Sequence, residues 1–387
     1  MTQIDFTSIT LFIQVLGILA LFIQLYYFLF PYSRIYRHNK LQDKQPANNN
    51  NCPPLSVIIV TKDSASMLKE NLPAILEQDY PEFEVIVVND ESAGEDEDIL
   101  KIIGNQYPHL YRTFIPKTAR YVSRKKLGIA MGIKASKYDW IVITEPYCKP
   151  ESKNWLRSLD GNFAQGTDIV IGYCNYSNGK GLFAKRIVSD MLLVSMRYLG
   201  RALGGSPYMA IGRNMAYRKE VYLKHKGFHN QLTLMRGEDD LFINEIANKR
   251  NTKVTVSSDS IMRMPQPEHR KVWKGDKIGY EVTGNHYKGT ARLSNGLETW
   301  TSVLFNISVI ASLCISIINR DWIFTAAACI AWLIRTTTVM TVFIKTSKAM
   351  GEKLSAYFFI YDIMRPLYSL GLKLAYMARN KNDYMRK

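Results

Sequence analysis

The segment Gly237-Glu238-Asp239-Asp240-Leu241 sets three carboxylates side by side. Adjacent like charges repel, so such a run is costly to fold unless it is used, although acids at a helix start are ordinarily stabilised by the helix dipole. The chemistry it suits is proton abstraction, in which a placed carboxylate takes the proton of an attacking hydroxyl. Another carboxylate, Asp90, follows the apolar run Glu84 to Val88 (EVIVV); it is either an acceptor for a ligand N–H or a solvated turn residue. Arg124, Lys125 and Lys126 open the stretch SRKKLGIAMGIKAS, a basic cluster at the start of a helix. Gly128 and Gly132, four apart in that helix, allow a close backbone approach to a ligand or to a sheet. Glu145, Pro146 and Tyr147 follow the apolar run Trp140 to Thr144, and Arg213 and Asn214 sit in AIGRNMAYRK.

Strands and helices must bring these groups together. Leu55 to Val60 (LSVIIV) is a short continuous apolar run, followed by a polar turn and a helical pattern at Leu68, Leu72, Ile75 and Leu76. Glu84 to Val88 repeats the unit, with the acidic Glu95 to Asp98 at the next helix start, and Trp140 to Thr144 is a third strand. Continuous apolar strands alternating with helices predict a parallel sheet covered on both faces, with ligands at the carboxyl ends of its strands. The polar stretch Asn48 to Pro54 reads as the linker that precedes this domain.

The 387 residues allow two or three units at about 150 residues each. With 47% hydrophobic and 12% aromatic residues, a disordered chain is excluded. Five scattered cysteines without a CxxC pair argue against a disulfide framework or zinc cluster and for a reducing compartment. Ile9 to Phe30 is free of charge and long enough to cross a hydrocarbon core of about 30 Å. Thr299 to Asn319 is also charge-free, and Trp322 to Ile344 contains only Arg335, so the pair reads as a transmembrane hairpin. Arg335 is a functional intramembrane charge or faces a neighbouring helix, a lipid phosphate or water. Arg34, Arg37, Lys40 and Lys44 after the first span, and Lys345, Lys348 and Lys353 after the hairpin, place the middle of the chain in the cytoplasm. Ser355 to Met377, broken by Asp362, Arg365, Pro366 and Lys373, is expected to lie on the membrane, followed by a basic tail.

The formal charge of +16, from 50 Lys+Arg and 34 Asp+Glu, thus meets anionic membrane lipids; no nucleic-acid-binding signature is present. Leu182 to Leu203 is an amphipathic helix with a basic side, resting on lipid or packed in the domain.

The succession SVIIVTKD, EVIVVND, SRKKLGIAMGIKAS, TEPYCKPES with Trp155, IGRNMAYRK and GEDDLF resembles a membrane-anchored family 2 glycosyltransferase of the GT-A fold, over Pro53 to Tyr287. The resemblance implies an α/β architecture, a Rossmann-like mixed sheet flanked by transmembrane helices. Its parts are a first span at 1–33, a basic linker at 34–53, the GT-A domain at 54–290, the hairpin at 299–345, and an interfacial helix and basic tail at 346–387. It implies that Thr61 and Asp63 face base and ribose, that Asp90 bonds uracil, and that Lys125, Glu145 and Tyr147 meet the nucleotide sugar. Asp239 is the implied general base, Glu238 orients the acceptor, and Arg213 and Asn214 lie near the acceptor sugar. Trp273 and Lys277 stand where processive members carry Gln-x-x-Arg-Trp, a motif this chain lacks; Trp273 stacks on an acceptor sugar or packs.

The family's Asp-x-Asp, which holds Mg²⁺ or Mn²⁺, is replaced by Glu145-Pro146-Tyr147. Either Glu145 holds the metal alone, or Lys125, Lys277 or Arg270 supplies the charge without one. The expected activity is inverting transfer from a nucleotide sugar, UDP-linked, to a lipid or lipid-linked glycan at the cytoplasmic face of a bacterial inner membrane. Transfer to polyprenyl phosphate and a non-catalytic scaffold in a glycan-assembly complex remain as alternatives. Three spans are too few to export a long polymer unless a membrane protein partner adds helices.

Overall fold

A computed structural model describes residues 6–44, 52–90, 94–116, 118–119, 123–353 and 355–378. Most of the expected linker at 48–54, the turn residues Glu91 and Ser92, and the basic tail from Arg379 onward lie outside the described residues.

The strands are β1 (Leu55–Thr61), β2 (Phe83–Asn89), β3 (Leu110–Phe114), β4 (Trp140–Thr144), β5 (Lys149–Pro150), β6 (Ile169–Gly172), β7 (Cys174–Tyr176), β8 (Met215–Arg218), β9 (Thr252–Thr255) and β10 (Met262–Met264). Seven form one sheet in the order β3-β2-β1-β4-β8-β6-β9, and β5, β10 and β7 form a smaller one. The strand pattern alone predicts a wholly parallel sheet. The structure differs at β8, which runs antiparallel to both β4 and β6. The mixed sheet is the one that the family resemblance implies.

The helices are α1 (Phe6–Tyr27), α2 (Arg34–Gln42), α3 (Ala65–Leu76), α4 (Glu95–Gln106), α5 (Arg124–Ala135), α6 (Trp155–Asp160), α7 (Gly181–Leu203), α8 (Lys219–Lys224), α9 (Asp240–Ile246), α10 (Arg270–Gly284), α11 (Ala291–Ile318), α12 (Trp322–Ala349) and α13 (Tyr357–Met377). β4 is buried at every position, and β1 nearly so, which is why these strands read as continuous rather than alternating apolar runs. α5 lies directly on β1. A Cβ at Gly128 would fall 2.7 Å from Val60 Cγ1, and one at Gly132 would fall 2.6 Å from Ile58 Cγ2. These glycines therefore serve helix-to-sheet approach, and they hold the start of α5, with Lys125, over the strand ends.

Three helical runs are long and apolar enough to cross a membrane: Thr10–Gln42, Ala291–Ile318 and Trp322–Ala349. A π-helical turn, Phe28–Tyr32, containing Pro31, links α1 to α2 within the first. α11 starts earlier than the charge-free run because buried Glu298 is paired by Arg197 of α7 and, at 2.7 Å, by Arg365 of α13. Arg335 faces its neighbours. Its guanidinium pairs with Asp362 of α13 at 2.6 Å and reaches Gln24 of α1 and Ser302 of α11 at 3.3 Å. Buried charges are tolerated when paired, since an isolated one costs several kcal/mol. α7 is packed rather than free: Arg186 lies over the rings of Trp273 and Tyr368, and Arg197 is bound to Glu298.

Candidate active site

A cavity of about 280 Å³ opens beyond the carboxyl end of β4. Lys125 enters it from the start of α5, Glu145 and Tyr147 from the turn after β4, and Gly212 and Arg213 from the turn before β8. Glu238 and Asp239 come from the start of α9, while Asp276, Tyr280 and Thr283 come from α10.

Asp239 caps α9 and is held by three donors. Its Oδ1 accepts from the Asp240 amide at 2.8 Å, and its Oδ2 accepts from the Gly212 amide at 2.9 Å and the Tyr280 hydroxyl at 3.0 Å. Such bonds leave the carboxylate few orientations. Asp240, also on the cavity wall, accepts from Thr283 and, at 2.8 Å, from Tyr287. Burial, with the neighbouring Asp239 charge, pushes the Asp240 carboxyl up to about 7.

Opposite stands Lys125, whose ammonium pairs with Glu145 and, at 2.8 Å, with Glu238. Burial opposes its charge, but the two carboxylates override that and hold it well above the usual lysine range. Burial likewise raises Glu145 despite Lys125, whereas for Glu238 the Lys125 and backbone contacts prevail and lower it. Glu238 Oε2 is buried without a hydrogen-bond partner among the described residues. Arg213 Nε donates to Tyr147 Oη at 3.0 Å, and Asp276 is shared by Arg213 and Arg236 at 3.5 and 2.7 Å.

Glu145 and Glu238 are the carboxylates that would hold Mg²⁺ or Mn²⁺ together with the phosphate oxygens of a nucleotide, and a metal would have to compete there with the Lys125 ammonium. Hard dications take several oxygen ligands. Here both carboxylates that face each other already hold an ammonium, and the phenol of Tyr147 is engaged by a guanidinium. Among the described residues, no three His, Cys, Asp or Glu side chains gather as a metal-holding group.

The model of the family described as Glycosyl transferase family 2 matches residues 56–225. Residues 56–225 of this chain therefore carry a glycosyl transferase family 2 domain. An uncharacterised glycosyltransferase of Rickettsia prowazekii (strain Madrid E) is 27% identical to this chain over 124 residues, 32% of the chain and 36% of that relative. The chain thus matches about a third of the relative's length. A mannosyltransferase of Pyrobaculum calidifontis, solved with GDP-Man and Mn²⁺, shares the fold with a TM-score of 0.54 at 16% identity, over 87% of this chain and 99% of its own. The architecture is therefore GT-A-like. Glu238 and Asp239 lie beyond the matched segment, so their placement rests on the geometry above.

Of the residues expected at the site, Lys125, Glu145, Tyr147, Arg213, Glu238 and Asp239 share the one cavity. Thr61, Asp63 and Asp90 stand apart from it, at the ends of β1 and β2. The Asp90 amide donates to Thr61 O at 2.7 Å, its carboxylate pairs with Arg124, Thr61 Oγ1 donates to Asp96 at 3.1 Å, and Asp63 is exposed. Three expected acceptor residues do not line the cavity. Asn214 is in the core, where it donates to Tyr173 O and Ser260 O at 2.8 and 2.7 Å and accepts from the Trp155 indole at 3.0 Å. Trp273 packs edge-on to Phe183, and Lys277 pairs with Asp190 at 2.6 Å. Arg270, offered as a metal substitute, lies over Phe183.

The three adjacent basic residues also separate. Lys126 is buried and donates to the carbonyls of Gln231, Leu234 and Arg236 at 2.6, 2.8 and 2.9 Å, and burial pushes it down to about 8. It pins the loop that leads into Glu238. Arg236, Asp276, Tyr280 and Thr283 also line the cavity and are not singled out by the sequence; the available signal is that Tyr280 and Thr283 stand one turn apart.

Proposed function

We propose that this chain is an inverting glycosyltransferase that moves a sugar from a nucleotide sugar to a lipid or lipid-linked glycan at the membrane. The observation that carries the reading is the Asp239 carboxylate, fixed by Gly212, Asp240 and Tyr280 on the cavity wall facing Lys125. In the proposed step, Asp239 takes the proton of the acceptor hydroxyl as that oxygen attacks the anomeric carbon. The new C–O bond forms on the face opposite the leaving group, and the bond to the nucleoside diphosphate breaks with its electron pair. The unpartnered Glu238 Oε2 accepts from an acceptor hydroxyl and orients it.

Negative charge on the departing diphosphate is met by the Lys125 ammonium and the Arg213 guanidinium, so this reading assigns that task to side chains rather than to a divalent metal. A UDP-linked donor is favoured, with Asp90 accepting from the uracil imide beside Arg124. The basic residues following the first and third apolar runs favour a cytoplasmic catalytic domain.

Turnover of UDP-sugars by the full chain, reconstituted with a membrane lipid extract, tests the assignment. Asp239→Asn is expected to abolish turnover while calorimetry still detects UDP binding. Turnover indifferent to that substitution removes Asp239 as base, and absence of both nucleotide binding and turnover in the unsubstituted chain supports the scaffold reading instead.

A further inference from the structure

A second pocket, of about 220 Å³, lies where the first apolar run leaves its lipid-facing stretch, and it shares no residue with the carboxylate cavity. Its walls are the π-helical turn, the carboxyl end of α7 and the first turns of α11. Tyr26, Phe30, Leu293 and Leu297 around it are exposed apolar residues, the pattern of a membrane-facing collar with aromatic residues at the headgroup level.

Three guanidiniums line the pocket: Arg34, Arg197 and Arg201. Arg197 is neutralised by Glu298. The other two have no carboxylate partner among the described residues. Arg34 reaches only the Gly200 carbonyl, at 3.4 Å, and Arg201 reaches the Thr290 hydroxyl, at 3.2 Å, with its Nε buried and unpartnered. Partly buried cations without counter-charge call for an anion, and guanidinium forks match phosphate oxygens two at a time.

The packing makes room for this arrangement. A Cβ at Gly204 would lie 1.9 Å from Arg34 Nη1, and one at Gly200 would lie 2.4 Å from the Pro31 carbonyl. Two glycines one turn apart on α7 thus admit both the π-helical turn and the Arg34 head. Any larger residue at 204 drives that guanidinium out.

We infer that this pocket binds the phosphate headgroup of an anionic phospholipid, held by Arg34 and Arg201, as a site separate from that of sugar transfer. The shared chemistry is a phosphate group. The lipid source is favoured over free phosphate by the exposed apolar collar, which gives acyl chains a surface. The inference does not depend on the catalytic assignment of Asp239.

The test uses the full chain in detergent micelles, with adducts counted by native mass spectrometry during titration of short-chain phosphatidylglycerol. Short-chain diacylglycerol supplies the tails alone, and inorganic phosphate supplies the head alone. Expected is a single phosphatidylglycerol adduct that neither fragment reproduces. Arg34→Gln combined with Arg201→Gln weakens it about thirtyfold, since each of the two cations near a lipid headgroup contributes about 1 kcal/mol and every 1.4 kcal/mol is tenfold. Arg37→Gln with Lys40→Gln, exposed residues of α2, leaves it unchanged. Gly204→Ala weakens it while keeping every charge. Equal binding of diacylglycerol, or equal loss in the α2 control pair, overturns the site. Binding of inorganic phosphate as tight as that of phosphatidylglycerol overturns the lipid source. The comparison of the three ligands on the unsubstituted chain decides the matter even where a substitution impairs folding.

Discussion

Tyr280 donates its hydroxyl to Asp239 Oδ2 at 3.0 Å, from a helix that follows the acidic run in the chain rather than from the central sheet. A hydrogen bond to a charged group contributes about 1.5–3 kcal/mol, so Tyr280→Phe is expected to lower kcat about tenfold or more with the fold intact. Steady-state kinetics beside a circular-dichroism melt checks this; equal kcat in the variant removes Tyr280 from the mechanism.

Lys125 serves two carboxylates at once. Lys125→Met leaves Glu145 and Glu238 without their shared cation and is expected to weaken UDP binding at least about tenfold, as loss of one ionic contact to phosphate implies. The same calorimetric titration of the unsubstituted chain is expected to be indifferent to EDTA and to added Mn²⁺. Binding that requires Mn²⁺ contradicts the side-chain assignment.

The Asp240 carboxyl, ordinarily near 3.8, is raised to about 7 by burial and the Asp239 charge. Because the folded pKa exceeds the unfolded one, the folded state binds more protons between those values. Stability from this group is therefore full at low pH and falls as pH rises through that window. Asp240→Asn removes this contribution, so the melting temperature of the variant, relative to the parent, is expected to improve as pH rises from acid to neutral. A constant difference between the two across that range contradicts the raised carboxyl.

Gly132 meets Ile58 so closely that one added methyl has no space. Gly132→Ala is expected to cost about 1–3 kcal/mol by overpacking and, by lifting α5, to weaken nucleotide binding through Lys125. Chemical denaturation and UDP titration of the same preparation measure both effects.

Arg335 and Asp362 form a buried pair between α12 and α13. Replacing either alone leaves a buried charge and is expected to cost about 3–5 kcal/mol, whereas Arg335→Met with Asp362→Leu recovers most of it. A double-mutant cycle on thermal unfolding in nanodiscs reads the coupling. Additive losses contradict it.

Much of the frame is legible because it is written in continuous apolar runs: Leu55–Thr61 and Trp140–Thr144 are strands buried on both faces, and each of the three long helical runs contains a stretch apolar enough to cross a membrane. The direction of β8 is not legible. Four residues carry no sign of which way they run, and that is decided by where long α7 delivers the chain. Acidic Glu238 and Asp239 stand out as types. Which of three adjacent basic residues faces them does not, since Arg124, Lys125 and Lys126 diverge around the start of one helix toward Asp90, the cavity and a loop's carbonyls. Asn214 and Lys277 look like ligand contacts until their buried partners, on segments distant in sequence, are known.

Glu298 of α11, shared by Arg197 of α7 and Arg365 of α13, bolts α7 to the pair of long apolar helices α11 and α12. On the proposed reading, the cavity then stands at a set height above the bilayer. An acceptor carried by lipid finds it through lateral diffusion, a search in two dimensions, and the reach of its headgroup becomes a ruler that selects which acceptors arrive in register with Asp239.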